Sequence, residues 1–81
     1  MSFTEELGFN HSHLLSLTYE RLVELFIERD LTKEELDCLG EDFDVIMLPS
    51  YMSSRREKRE YLAREIADAG RRQLTSVAKV G

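Results

Sequence analysis

Apolar positions in this chain recur three and four residues apart along most of its length, the spacing of one side of a helix. In LTYERLVELFIERD, Tyr19, Leu22, Val23, Phe26 and Ile27 fall on a single stripe and predict an amphipathic helix. Thr18 stands before it as an N-cap, with Leu17 and Leu22 at the spacing of a hydrophobic staple. LTKEEL carries a fuller start signal. Leu31 and Leu36 form a staple, while Thr32 and Glu35 form a capping box that satisfies two orphan amides at once. Leu36 and Leu39 then face inward on a short helix, and Gly40 is placed to end it in the left-handed conformation.

The stretch EDFDVIMLPSYM predicts one helical turn around 42–47 and then an irregular connection, because Pro49 lacks an N–H and disfavours helix at Leu48. A strand at VIM would find no second strand to pair with. Ser54 and Glu57 make another capping box and start a helix that runs to about Ala69. Leu62, Ile66 and Ala69 are its buried stripe, flanked by Ala63 and Ala67, and Gly70 is placed to close it. RRQLTSVAKV predicts a last helix with Leu74, Val77 and Ala78 inward. Residues 1–13 read as an N-terminal segment of undetermined structure, and 14–81 as the helical domain. The expected fold is all-α: a bundle of five to six short helices whose brief links make sequential helices neighbours.

At 81 residues the chain has room for one domain with a small core. A small-molecule cleft of roughly 300–1,000 Å³ is hard to house in it, so a binding module is favoured over an enzyme. The lone Cys38 excludes an internal disulfide and a Cys₂His₂ or Cys₄ zinc site, and points to a reducing, cytoplasmic setting. The first ten residues carry acids where a signal peptide needs bases, and the longest apolar run is VIML, so no membrane span is expected.

Charge changes the picture more than composition does. Residues 1–50 hold 12 acids and 3 bases, a net −9, while residues 51–81 hold 4 acids and 8 bases, a net +4. A chain tuned for solubility alone would intersperse its signs. Solvated faces with local pairs such as Glu60–Arg64 are the plain alternative. Segregated signs give a small domain a dipolar surface, able to dock on a copy or a relative and to steer the encounter. The expected contact residues are Arg55, Arg56, Arg59, Arg71 and Arg72 on a basic face, and Glu24, Glu28, Glu41 and Asp42 on an acidic face. Head-to-tail pairing of such faces closes a ring or continues as a filament.

Other chemistries fit less well. A helix–turn–helix over 18–44 would present an acidic second helix, KEELDCLGED, to phosphates, and no aromatic residues interleave with the bases for stacking. The helix starting at 55 lacks the apolar face that a lipid surface needs. His11 and His13 are too few to hold a metal and read as cap or turn residues. Cys38 reads as a half-buried thiol whose pKa its acidic neighbours Asp37 and Glu41 raise, the opposite of a nucleophile's environment. Phe26, Phe43, Met47, Met52 and Tyr61 read as core or core edge. No catalytic constellation, cofactor or metal site is expected.

The order LTYERLVELFIERDLTKEEL, FDVIMLP, SSRREKREYLAREIADAGR, QLTSVAKV resembles the bacterial effector-associated, death-like domains over about residues 14–80. Tyr61, Leu62, Ile66, Gly70, Arg71 and Leu74 occupy the places of the family's basic helix and final apolar pair, with Asp44 and Leu48–Pro49 near its middle segment. Ser50 stands where that pattern has Gly, and residues 1–13 have no counterpart. The resemblance implies a six-helix death-like bundle, a cytoplasmic adaptor in bacterial defence that joins a sensor to an effector by like-with-like association. The expected partner is protein, either a second copy in a homo-oligomer or filament or a related domain, with no nucleic acid and no membrane. A small nucleic-acid-binding regulator or antitoxin is the alternative.

Overall fold

The computed structural model describes the backbone of residues 3–80 and the side chains of residues 4–72. Among the described residues there are five α-helices, one 3₁₀ turn and no strand: α1 Phe3–Glu6, α2 His11–Ser16, α3 Tyr19–Glu28, α4 Lys33–Asp42, the turn Ser50–Met52, and α5 Arg55–Val80. The all-α bundle read from the sequence is the observed architecture. α5 is its mast. At about 1.5 Å per residue its 26 residues account for most of the 43 Å long axis. α2, α3 and α4 pack on α5, and α1 packs on α4.

All three predicted helix starts are formed. The Thr18 hydroxyl accepts from the Arg21 N–H at 3.3 Å. Thr32 and Glu35 exchange their bonds at 3.1 and 2.9 Å, and Ser54 and Glu57 do the same at 3.1 and 3.0 Å. A further cap organises the N-terminal segment: Asn10 Oδ1 accepts from the His13 N–H at 3.1 Å and starts α2.

The helix ends differ from expectation, and the cause is packing. Gly40 lies inside α4, where a Cβ would stand 2.7 Å from Cγ of Met47. Gly70 lies inside α5, where a Cβ would stand 1.9 Å from the carbonyl oxygen of Leu15. Both glycines therefore let another segment approach the helix closely and leave its backbone unbroken. The two helices expected on either side of Gly70 are one. The predicted turn around 42–47 is absent too: α4 ends at Asp42 and the chain runs without regular structure to Pro49.

The left-handed positions are instead Gly8 (φ 81°), Asp30 (φ 50°) and Asp44 (φ 58°). Each closes a helix with the same two bonds, a Schellman motif. Phe9 and Gly8 donate to Thr4 and Glu5 at 3.0 and 2.9 Å; Leu31 and Asp30 to Phe26 and Ile27 at 3.4 and 3.0 Å; Val45 and Asp44 to Gly40 and Glu41 at 2.8 and 3.1 Å.

The core is Leu14, Leu22, Phe26, Leu31, Leu36, Leu39, Leu62, Ala63 and Ile66. Leu7, Leu15, Leu17 and Val45 are among the half-buried residues packed around it. Ile27, placed on the buried stripe by its spacing, is 53% exposed, and Met52 is 69% exposed rather than core edge. The stripe of α3 is centred on Leu22 and Phe26, which turns Ile27 outward. The predicted inward positions Leu74, Val77 and Ala78 lie outside the described side chains.

One core member is charged. Lys58 is fully buried, and its ammonium donates to Asp37 Oδ1 at 2.5 Å and to the Leu48 carbonyl at 2.6 Å. A buried ammonium is tolerated only when paired and hydrogen-bonded. Here the pairing ties α4, α5 and the 45–49 connection at one point. Lys33, which donates to the Ser50 carbonyl at 3.1 Å, adds a second tie on the surface.

Candidate interaction surface

The acidic surface is built on α4. Glu34, Cys38 and Glu41 are all exposed and follow one another at i, i+4 and i+7, one stripe on the side of the helix away from its buried leucines. Cys38 is exposed, not half-buried as its leucine neighbours suggested. Its thiol pKa is raised above the ordinary value by partial desolvation and by the carboxylates of Glu41, Asp37, Asp42 and Glu34. With Glu35 and Asp44, six carboxyl groups stand along one short helix and its exit. No basic residue stands in its last turn. Negative charge at a helix C-terminus opposes the macrodipole and costs roughly 0.3–1 kcal/mol per residue. Asp44 adds a second cost of about 1 kcal/mol, because a non-glycine residue in the left-handed region crowds its own Cβ.

The basic surface begins at α5. Arg55 and Arg56 occupy its first turn, again against the dipole, and both are exposed. Arg55 reaches Asp30, at the exit of α3, with an Nη1–Oδ1 distance of 3.1 Å. Arg56 pairs one turn on with Glu60 at 3.0 Å, a solvated contact with the Arg side chain 80% exposed. An exposed pair of this kind contributes about 0–1 kcal/mol and leaves the arginine available to a partner.

The structure brings together only part of what the charge pattern suggested. Arg55, Arg56 and Arg59 share the start of α5. Arg71 and Arg72 are exposed too, but lie sixteen residues on, about 24 Å along the helix axis, so the five arginines do not make one face. Arg72 Nε donates along its own helix to the Asp68 carbonyl at 3.4 Å. On the acidic side, Glu24 pairs with Arg21 at 3.0 Å on α3. Glu28 and Glu41 are exposed on different helices, α3 and α4. Asp42 is occupied from within: its Oδ2 accepts from the Thr4 N–H at 2.6 Å and from the Thr4 hydroxyl at 2.7 Å, which docks α1 on α4.

Two large apolar side chains escaped the sequence reading, and a third, Met52, belongs with them on the surface. Ile46 and Tyr51 are each 88% exposed, and with Met52 they mark the connection between α4 and α5. A period-based reading assigns apolar residues to a core, so their exposure has no local signal. Elsewhere, His11 stacks on Phe43 with centroids 4.1 Å apart, and the Arg29 guanidinium sits 4.7 Å from the Phe9 ring centre. Both contacts tie the N-terminal segment to the bundle. No three His, Cys, Asp or Glu side chains among the described residues converge to hold a metal ion, and no described helix is long and apolar enough to cross a membrane. Compared with known proteins, the chain matches no family model, no curated protein and no solved structure.

Proposed function

We infer that the chain is a protein-interaction module that associates with a second copy of itself or with a related helical domain, through the acidic end of α4 and the basic start of α5. The observation that carries this reading is the un-neutralised exit of α4. Glu41 and Asp44 stand against the helix dipole, Asp44 in a conformation that favours glycine, and no described side chain pairs with either. Within the fold such charges only cost stability, and a positively charged partner turns that cost into attraction. The role that goes with the death-like resemblance, and that we propose with it, is a non-enzymatic adaptor between sensor and effector in bacterial defence.

Light scattering over a series of concentrations and salt tests it. Mass above the monomer at low salt, falling as salt rises past about 0.15 M, is the expected result. Arg56→Glu with Arg59→Glu removes that mass while helicity is kept. Arg55 is the poorer choice for this test, because its pair with Asp30 joins two helices, whereas the Arg56–Glu60 pair that this variant breaks lies within one turn of α5. A variant that still assembles at low salt overturns the assignment of the basic surface. A low-salt shift of generic duplex DNA by the wild type would favour the nucleic-acid alternative instead.

A further inference from the structure

Charged pairs at a surface steer an encounter but hold little. An assembly therefore needs apolar anchors, and the structure supplies two that differ in their charged surroundings. The first is a groove between α4 and the connection that follows it, lined by Val45, Ile46, Met47, Leu48 and Pro49, rimmed by Asp37 and Glu41, and running up to Ser50 where the second begins. Ile46 stands at its surface, 88% exposed. The second is the Ser50–Met52 turn, where Tyr51 and Met52 project 88% and 69% exposed, just before Arg55 and Arg56.

We propose that the acid-rimmed groove of one molecule receives the Tyr51–Met52 turn of a second copy, with Arg56 and Arg59 reaching the carboxylates of Glu41 and Asp44. This rests on the reading of the chain as a self-associating module and names the two surfaces that meet. The match has two parts. A groove with aliphatic side chains in its wall and a negative rim faces an apolar projection with a positive flank, and each chain carries one of each. The contact pairs two different segments, residues 45–49 of one molecule with residues 51–59 of the other; it closes a two-fold dimer where the reverse contact forms at the same interface and continues head to tail where it does not. The fold already holds a small-scale version of the polar half: Arg55 meets an aspartate in the left-handed position of a Schellman motif, Asp30, and Asp44 is the same backbone position without an arginine. Lys58 fixes the groove wall at Leu48 and sits within one turn of Arg55, so both surfaces hang on one buried anchor.

The two surfaces can be disabled separately. Ile46→Lys puts a cation in the groove, and Tyr51→Glu puts an anion on the turn. Both side chains are almost wholly exposed, so the helical circular dichroism and melting temperature are expected to stay those of the wild type. Each variant alone is expected to weaken self-association by about tenfold or more. Mixed one to one, they restore a complex, because the intact turn of the first meets the intact groove of the second. A mixture that stays monomeric while the wild type assembles overturns the groove-and-turn contact and leaves the broader reading standing. Assembly unchanged in both single variants does the same. A wild type that is monomeric at every concentration and salt overturns both.

Discussion

The exits of α3 and α4 share one backbone motif and part over the fate of its aspartate. At α3, Asp30 takes the left-handed position, Leu31 continues into the core at 1% exposure, and the carboxylate finds Arg55 at 3.1 Å. At α4, Asp44 takes the same position, Val45 is half-buried behind it, Glu41 adds a second negative charge one turn before, and no described side chain neutralises either. The first exit is closed within the molecule and reads as structure. The second carries the same strain and a like dipole cost with no return inside the fold, which is where strained positions point to function. Gly8, at the exit of α1, shows that this chain can place a glycine where one is favoured.

The largest effect is expected where the segment after α4 is anchored. Lys58→Ala removes a buried stem, leaves the Leu48 carbonyl without its donor and strips Asp37 of its partner. It should destabilise the fold by about 3 kcal/mol in urea denaturation, somewhat below a fully buried pair because Asp37 is 37% exposed. Gly70→Ala, far from either exit, serves as a control on packing. Alanine is favoured over glycine in a helix by about 1 kcal/mol, yet the added methyl meets the Leu15 carbonyl, so a net loss of about 2 kcal/mol is expected. A gain in stability there would show that α5 is not held so tightly against α2.

Smaller effects separate the two exits directly. Asp44→Gly should stabilise the fold by about 1 kcal/mol, since it relieves both the left-handed strain and the dipole conflict. Asp30→Gly should gain less, about 0.5 kcal/mol or nothing, because it also gives up the Arg55 pair. Equal gains at the two positions would erase the contrast. The smallest effect concerns Cys38. Its thiol keeps its proton to higher pH in the folded chain than in the unfolded one. As pH rises through the ordinary thiol range the unfolded state loses that proton first, so stability falls there, and Cys38→Ser should remove that part of the alkaline loss. For the same reason the exposed thiol should alkylate more slowly at neutral pH than a free model thiol. Binding of a basic partner to α4 should speed it up.

Local signals in the sequence carried the helix starts, because a capping residue and its N3 partner are three positions apart and act alone. Thr18, Thr32 and Ser54 all cap as their spacing predicts. Helix ends were read through glycine, and there the local signal misled. Gly40 and Gly70 are claimed by Met47 and Leu15, residues whose proximity is a tertiary fact, while the left-handed turns fell to aspartates that tolerate them less visibly. Lys58 was hidden for a similar reason: a lysine in a run of bases reads as solvated until its ammonium is seen between Asp37 and Leu48. The charge division was legible by counting. Which charges stay available was not, since Asp42 is taken by Thr4 and Arg55 by Asp30 only once the chain is folded.

Asp44→Gly offers the most direct test, because stability and association should move in opposite directions at one residue. Static light scattering at low salt, on samples shown to melt higher than the wild type, is expected to give a mass closer to the monomer than the wild type at equal concentration. A variant that melts higher and assembles to the same mass would contradict the assignment of the α4 exit to an intermolecular contact.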